Sequence, residues 1–203
     1  MTTATPIEFF FDIGSTYSYL AATQIRGLEE RTGRTVRWRP FLLGGVFKAT
    51  GNAPPVSVAA RAGWLLRDAA RWAEEYGVPL TMPSRFPLVT LPTERALVVC
   101  ELEAPEKLPA FALALFPAYW AEDRDPTSRD EIATLARGVG LDADRILAGM
   151  DTPAVKDHLR KSTEEAVERG AFGAPTFFVD GEMFFGNDRI AQIERLLARR
   201  ARG

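Results

Sequence analysis

The residues with the clearest chemical potential are hydroxyls. In Ser15-Thr16-Tyr17-Ser18 the two serines stand at the spacing of a CxxC pair, directly after a short aromatic run. A helix starting here would leave its first N–H groups unpaired, with about half a positive charge at its head. Such a place stabilises a thiolate, yet the chain supplies no thiol there, since its single cysteine is Cys100. Two uses of Ser15 follow. Either it caps the helix, or its hydroxyl donates a hydrogen bond to the thiolate of a bound cofactor. One cysteine excludes an intrachain disulfide, and one histidine, His158, without a second cysteine argues against zinc. A Ser–His–Asp triad would require His158 to reach a serine. Its place between Asp157 and Leu159 in a helical stretch predicts a solvent-facing ring instead.

Two later segments carry comparable potential. In Phe172-Gly173-Ala174-Pro175-Thr176 the proline has no N–H to give a ladder, and its place before a hairpin predicts a cis Ala174-Pro175 bond. A cis turn would offer the Ala174 N–H and C=O to an extended peptide. Gly186-Asn187-Asp188-Arg189 opens the last helical stretch. Its N–H groups and the Asp188 carboxylate suit a ligand's carboxylate and ammonium, and Asp188 also suits a helix cap. GGVFKATGNAPP at 44–55 reads as a Gly/Pro-rich connection, either a linker or a ligand loop.

Periodicity places these segments on elements. IEFFFD (7–12) reads as a buried strand. After Gly14-Ser15, the spacing of Tyr19, Leu20, Ala22, Ile25 and Leu28 predicts a helix that ends at Gly33. TVRWRPF (35–41) sets Val36, Trp38 and Pro40 against Arg37 and Arg39, a strand that stops at Pro40 or lies near an edge. From 56 to 170 the pattern is nearly all helical. Pro117 should end or kink a helix, and Ser128 with Glu131 predicts a capping box. Asp142 and Thr152-Pro153 open further helices. Trp38, Trp64, Trp72, Trp120 and Cys100 are expected in the core. TFFVD, Gly181-Glu182 and MFF (176–185) predict a hairpin, and Asp188 is expected to cap a last helix carrying Ile190, Ile193, Leu196 and Leu197. Strand, helix, strand, a block of helices, hairpin, helix is the order of an α/β sandwich with an all-helical insertion.

The totals limit the partners. A net charge of −2 gives no electrostatic case for nucleic acid or an anionic membrane. Arg199, Arg200 and Arg202 suit the negative end of a last helix. MTTATPIEFFFDIG has no basic n-region, so no secretion signal is expected, and no apolar run is long enough to span a bilayer. A cytoplasmic location is the default expectation.

FFFDIGSTYSYLA, FLLGGVFKATGN, RFPLVTLPTERA and FGAPTFFVDGEMFFGNDRI, in that order, resemble the 2-hydroxychromene-2-carboxylate isomerases. That family groups with kappa-class glutathione transferases and, more distantly, with DsbA-like oxidoreductases. The resemblance implies an α/β, thioredoxin-like fold with a large all-helical insertion, the discontinuous domain at 1–45 and 171–203 and the insertion at 46–170. It implies glutathione as cofactor, with Ser15 as the catalytic serine where a redox relative carries its cysteine. Its glutathione contacts fall on Ser15, Asn52, Ala174, Pro175, Gly186, Asn187 and Asp188, and its substrate side on Tyr17, Lys48 and Arg85. The implied reaction is the isomerisation of 2-hydroxychromene-2-carboxylate to trans-o-hydroxybenzylidenepyruvate by reversible thiolate addition, a step of aromatic degradation. The substrate is a small aromatic carboxylate, and a homodimer is expected as in relatives. Two departures from the family pattern are Thr16, where proline is familiar after the serine, and Val89, where asparagine is common. The alternatives are a kappa-like transferase or peroxidase, a non-catalytic glutathione-binding protein, and a DsbA-like oxidoreductase, which lacks the necessary thiols.

Overall fold

Ile7–Phe11 (β1) is apolar at four of five positions, and as a strand it buries both faces. It pairs in parallel with Val36–Pro40 (β2) and antiparallel with Thr176–Val179 (β3), which pairs antiparallel with Glu182–Phe185 (β4). The resulting order, β2-β1-β3-β4, puts Pro40 on an edge strand, where its missing N–H costs no ladder bond. This computed structural model describes residues 5–201, so Arg202 lies outside the described residues. The hairpin turn is Asp180-Gly181, both at positive φ, one residue earlier than the expected Gly181-Glu182. An Asp-Gly pair accepts the twist of a two-residue hairpin more readily than a turn that includes Glu182.

Alternation along β1 divides the core. On one face Phe9 stacks on Phe177 at 5.0 Å and meets Trp38 edge-on at 5.1 Å. Tyr19 and Ile25 of α1 (Thr16–Thr32), Phe116 of α5 (Leu108–Trp120) and Ile193 of α9 (Ile190–Arg200) cover this face. On the other, Phe10 packs with Phe41, Phe178, Val46 of α2 (Leu43–Thr50) and Ala166 of α8 (Pro153–Glu168). Arg39, expected outward, is buried. It pairs with Glu8 at 3.0 Å and Glu165 at 2.6 Å and lies 4.8 Å over the Phe10 ring. Two carboxylates and a ring face offset much of the cost of burying this guanidinium, while its Nε lies 3.8 Å from Glu101 without a hydrogen bond.

Several other expectations are corrected. GGVFKAT is not a connection but α2. The Asp12 carboxylate accepts its Leu43 N–H at 2.7 Å, and a Cβ on Gly45 would stand 3.0 Å from Thr163, so glycine lets α2 lie close on α8. The helical run between α3 (Ala59–Tyr76) and α4 (Leu91–Glu103) is broken by the irregular segment 77–90, which holds a cis Phe86-Pro87 bond. α5 continues through Pro117 to Trp120, because the loss of one N–H in the last turn is offset by burial of Phe116, Tyr119 and Trp120. Ser128 precedes α6 (Arg129–Gly138) without a side-chain cap, and Glu131 turns to Arg124. Asp142 does cap α7 (Ala143–Gly149), and Thr152 caps α8. Trp64 is 55% exposed, so its helical spacing did not mark a core position. His158 does not face solvent freely but pairs with Glu101 at 3.1 Å. Arg200 reaches across to Asp180 at 2.8 Å and to Glu182. No helix among the described residues is long and apolar enough to cross a membrane.

Candidate active site

Where β1 ends, Asp12 reverses the chain. Its carbonyl accepts the Ser15 N–H at 3.0 Å and its carboxylate the Gly14 N–H at 2.7 Å. Ser15 then stands at the N-cap of α1 in an extended conformation, its Oγ accepting from the Ser18 N–H at 3.1 Å. The first turn of α1 itself has no acidic residue, and the positive end of this 17-residue helix lies beside the Ser15 hydroxyl. Ser15 is buried, and its O–H donates to the Ala174 carbonyl at 3.0 Å.

Ala174-Pro175 is cis, as predicted. The Ala174 carbonyl accepts the Ser15 hydroxyl, which takes one of the two lone pairs on its oxygen. The Pro175 carbonyl accepts the Gly186 N–H at 3.0 Å, which ties the third segment to the second and removes that N–H from the donors expected for a ligand. Gly186 has φ of 108°, and a Cβ there would lie 2.5 Å from Asp188 Oδ1, so only glycine suits the turn. Asn187 is buried, with its amide donating to Tyr76 Oη at 3.3 Å. Asp188 does not cap α9. A 3-10 turn, Asn187–Arg189, intervenes, and Asp188 pairs instead with Arg189 at 3.2 Å. Its charge is felt by Tyr17 and Tyr76, which places the carboxylate at the same end of the fold. Asn52, just past α2, donates to the Phe172 carbonyl at 3.1 Å. Ser15, Asn52, Ala174, Pro175, Gly186, Asn187 and Asp188 are thus linked by short steps of backbone and hydrogen bond.

The three substrate-side expectations fare differently. The Tyr17 hydroxyl donates to Asp68 of α3 at 2.7 Å. Burial first, then that bond, pushes its phenol above the usual range, so it stays neutral. Lys48 is exposed on α2 and lines a groove of about 640 Å³ with Leu91, Arg95 and Lys156. Arg85 lies in segment 77–90 and pairs with Asp125 beyond α5. No hydrogen bond or ion pair among the described residues brings Lys48 or Arg85 to Ser15. Val89 is 78% exposed. Sequence reasoning gave no site role to Asp68 or Tyr76. It also missed the clamp under the Ser15 turn: Asp12, Thr90, Glu94 and Trp120. Only Asp12 carried a signal, a carboxylate directly after the aromatic run Phe9–Phe11.

A family model for the DSBA-like thioredoxin domain matches residues 6–198, which includes all four strands. The chain belongs to this DSBA-like family. A 2-hydroxychromene-2-carboxylate isomerase of Sphingobium xenophagum is 34% identical over 193 residues, 94% of this chain and 97% of that one. Glutathione S-transferase kappa 1 of Rattus norvegicus is 31% identical over 209 residues, 97% of this chain and 92% of that one. A solved 2-hydroxychromene-2-carboxylate isomerase superposes with a TM-score of 0.88 at 28% identity, covering 98% of this chain and 97% of that one. This DSBA-like chain carries no thiol at the head of α1. Its single cysteine, Cys100, is buried in α4, where burial first and the Glu106 charge next push the thiol up to about 12.

The set of polar groups suits a cysteinyl peptide. It offers a hydroxyl donor at a helix head, and as acceptors a backbone carbonyl before a cis proline and a partly exposed carboxylate at Asp188.

Proposed function

We propose that the protein is a glutathione-dependent isomerase that converts 2-hydroxychromene-2-carboxylate to trans-o-hydroxybenzylidenepyruvate, as a cytoplasmic step of aromatic degradation. The observation that carries this reading is Ser15. Its hydroxyl is held between the head of α1 and the Ala174 carbonyl, in a chain with no thiol at that place. When bound, glutathione supplies the thiolate that adds to the conjugated carbon of the ring-opened substrate and is expelled after rotation, so the thiol is regenerated.

The chain's own residues supply the rest. The head of α1 favours negative charge beside Ser15. With glutathione bound, the Ser15 hydroxyl would donate to the sulfur and the Ala174 carbonyl would accept a peptide N–H of the ligand. Asp188 receives the ligand's ammonium, for which it exchanges Arg189. Asn52, Asn187 and the Pro175 turn shape the rest of the glutathione cradle. Neutral Tyr17 lines the proposed cleft, with its one O–H given to Asp68 and its oxygen left as an acceptor. Lys48 and Arg85 are the proposed partners of the substrate carboxylate, and Arg85 must leave Asp125 to act. The discontinuous division at 1–45, 46–170 and 171–203 is proposed with this reading, with α2 lying across its first boundary.

A second reading, a kappa-like transferase acting on other electrophiles, is favoured by the similarity to the rat kappa enzyme. Both require glutathione binding, which calorimetry tests. Saturable heat with the wild-type protein is expected, and its absence contradicts both readings. Molar mass in solution tests the proposed homodimer.

A further inference from the structure

Glu94 is fully buried in the first turns of α4. Its Oε1 accepts the Ile13 N–H at 2.8 Å, and its Oε2 has no hydrogen-bond partner. Ile13 lies two residues before Ser15. On the other side of the same residue, Trp120 of α5 donates its indole N–H to the Ile13 carbonyl at 2.8 Å. The next residue, Gly14, is held by Asp12, whose carboxylate also accepts Thr90 Oγ1 at 2.8 Å and the Leu43 N–H. Both backbone groups of Ile13 are therefore fixed by side chains from the helical block, and the Ser15 turn has its position set from below.

The two buried acids are not equivalent. Asp12 takes three donors, whereas Glu94 takes one and has no cation. A buried carboxylate with a bare oxygen beside another carboxylate is costly, so Asp12 keeps the negative charge and Glu94 the proton. The charge acting on Glu94 is that of Asp12 from the β1–α1 turn. The other side chains on this turn, Trp120 from α5 and Thr90 from the start of α4, are uncharged. Burial first and Asp12 second push the Glu94 carboxyl well above its ordinary range, in agreement with that geometry.

We propose that Glu94 is a positioning residue for Ser15: as a neutral acid, through its one hydrogen bond to Ile13, it fixes the turn that presents the serine hydroxyl at the head of α1. For its effect on ligand, this rests on the glutathione reading. For its effect on the turn, it stands alone. Glu94→Gln keeps a neutral side chain of the same length with an oxygen acceptor. Glu94→Leu removes the acceptor and leaves the Ile13 N–H buried without a partner. Glu94→Asp keeps the carboxyl but falls one methylene short.

Amide hydrogen exchange read residue by residue tests it. The Ile13 amide should exchange about tenfold or more faster in Glu94→Leu and Glu94→Asp. It should be nearly unchanged in Glu94→Gln, and Phe9 in mid-β1 should stay protected in all three. Glutathione affinity should fall in the Leu and Asp variants and survive in the Gln variant. Unchanged Ile13 exchange in Glu94→Leu, a loss shared equally by Phe9, or a Gln variant as impaired as the Leu variant would overturn the proposal. If Glu94→Leu does not fold, Glu94→Asp against Glu94→Gln makes the same comparison. No glutathione heat with the wild type would sink the glutathione reading, while the exchange pattern would still decide for or against Glu94.

Discussion

Removing the Ser15 hydroxyl separates its capping role from its proposed chemical one. Ser15→Ala loses the cap on the Ser18 N–H, which costs about 1 kcal/mol. It also loses the bond to the buried Ala174 carbonyl, about 1 kcal/mol more. A total of about 2 kcal/mol in a domain of this size lowers Tm by about 4–8 °C. Ser15→Gly gives up the same bond to Ala174, but glycine at an N-cap costs only a few tenths of a kcal/mol relative to serine, so its Tm should fall by about half as much. If Ser15 steadies a thiolate, both variants lose the same charge-assisted hydrogen bond, worth about 1.5–3 kcal/mol. Both should then drop about tenfold to a hundredfold in kcat/KM at neutral pH. Both should also move the titration of thiolate absorbance in the glutathione complex upward by about one to two pH units. Glutathione should still bind to each. The reasoning is refuted if both variants keep full activity, or if activity follows Tm so that Ser15→Gly is spared, since either result makes Ser15 only a cap.

Three further outcomes are expected. Cys100, buried with its thiol pushed up to about 12, should resist alkylation in the native protein at about pH 8. Glu94→Gln should raise Tm, and by more as pH rises. Native Glu94 keeps a proton that the unfolded chain has lost, so the stability it contributes is present below the ordinary carboxylate range and lost as pH rises toward its folded value. The gap between variant and wild type should widen from about pH 5 to about pH 8, and Asp12, raised by burial, is common to both. Arg39→Ala leaves Glu8 and Glu165 to Arg169 alone and uncovers the Phe10 ring, and should cost about 1.5–3 kcal/mol in denaturant unfolding.

What was legible in the sequence was local. The run from Tyr19 to Leu28 with Gly33 after it specifies α1, and two apolar aromatic runs around Gly181 specify the hairpin though not the exact turn pair, because spacing and turn chemistry act within a few residues. What was not legible depended on distant partners. GGVFKAT looked like a loop because the Asp12 cap and the close approach to Thr163 lie 31 and 118 residues away in the chain, beyond the reach of propensity. Arg39 looked like a solvent residue because Glu165 is 126 residues away. Among the site residues, Ser15, Ala174 and Gly186 were marked by helix-head, proline and glycine chemistry. Glu94 carried no mark, since one acid in a helical pattern reads as a solvated position until Ile13, 81 residues earlier, is seen against it.

The most direct test of the account follows the thiol. Purified protein is mixed with 2-hydroxychromene-2-carboxylate and less than one equivalent of glutathione, and both the product spectrum and the free thiol are followed. The account predicts many turnovers of substrate per glutathione, with the free thiol fully recovered and no product when glutathione is omitted. Consumption of thiol in step with substrate, or turnover without glutathione, would contradict it.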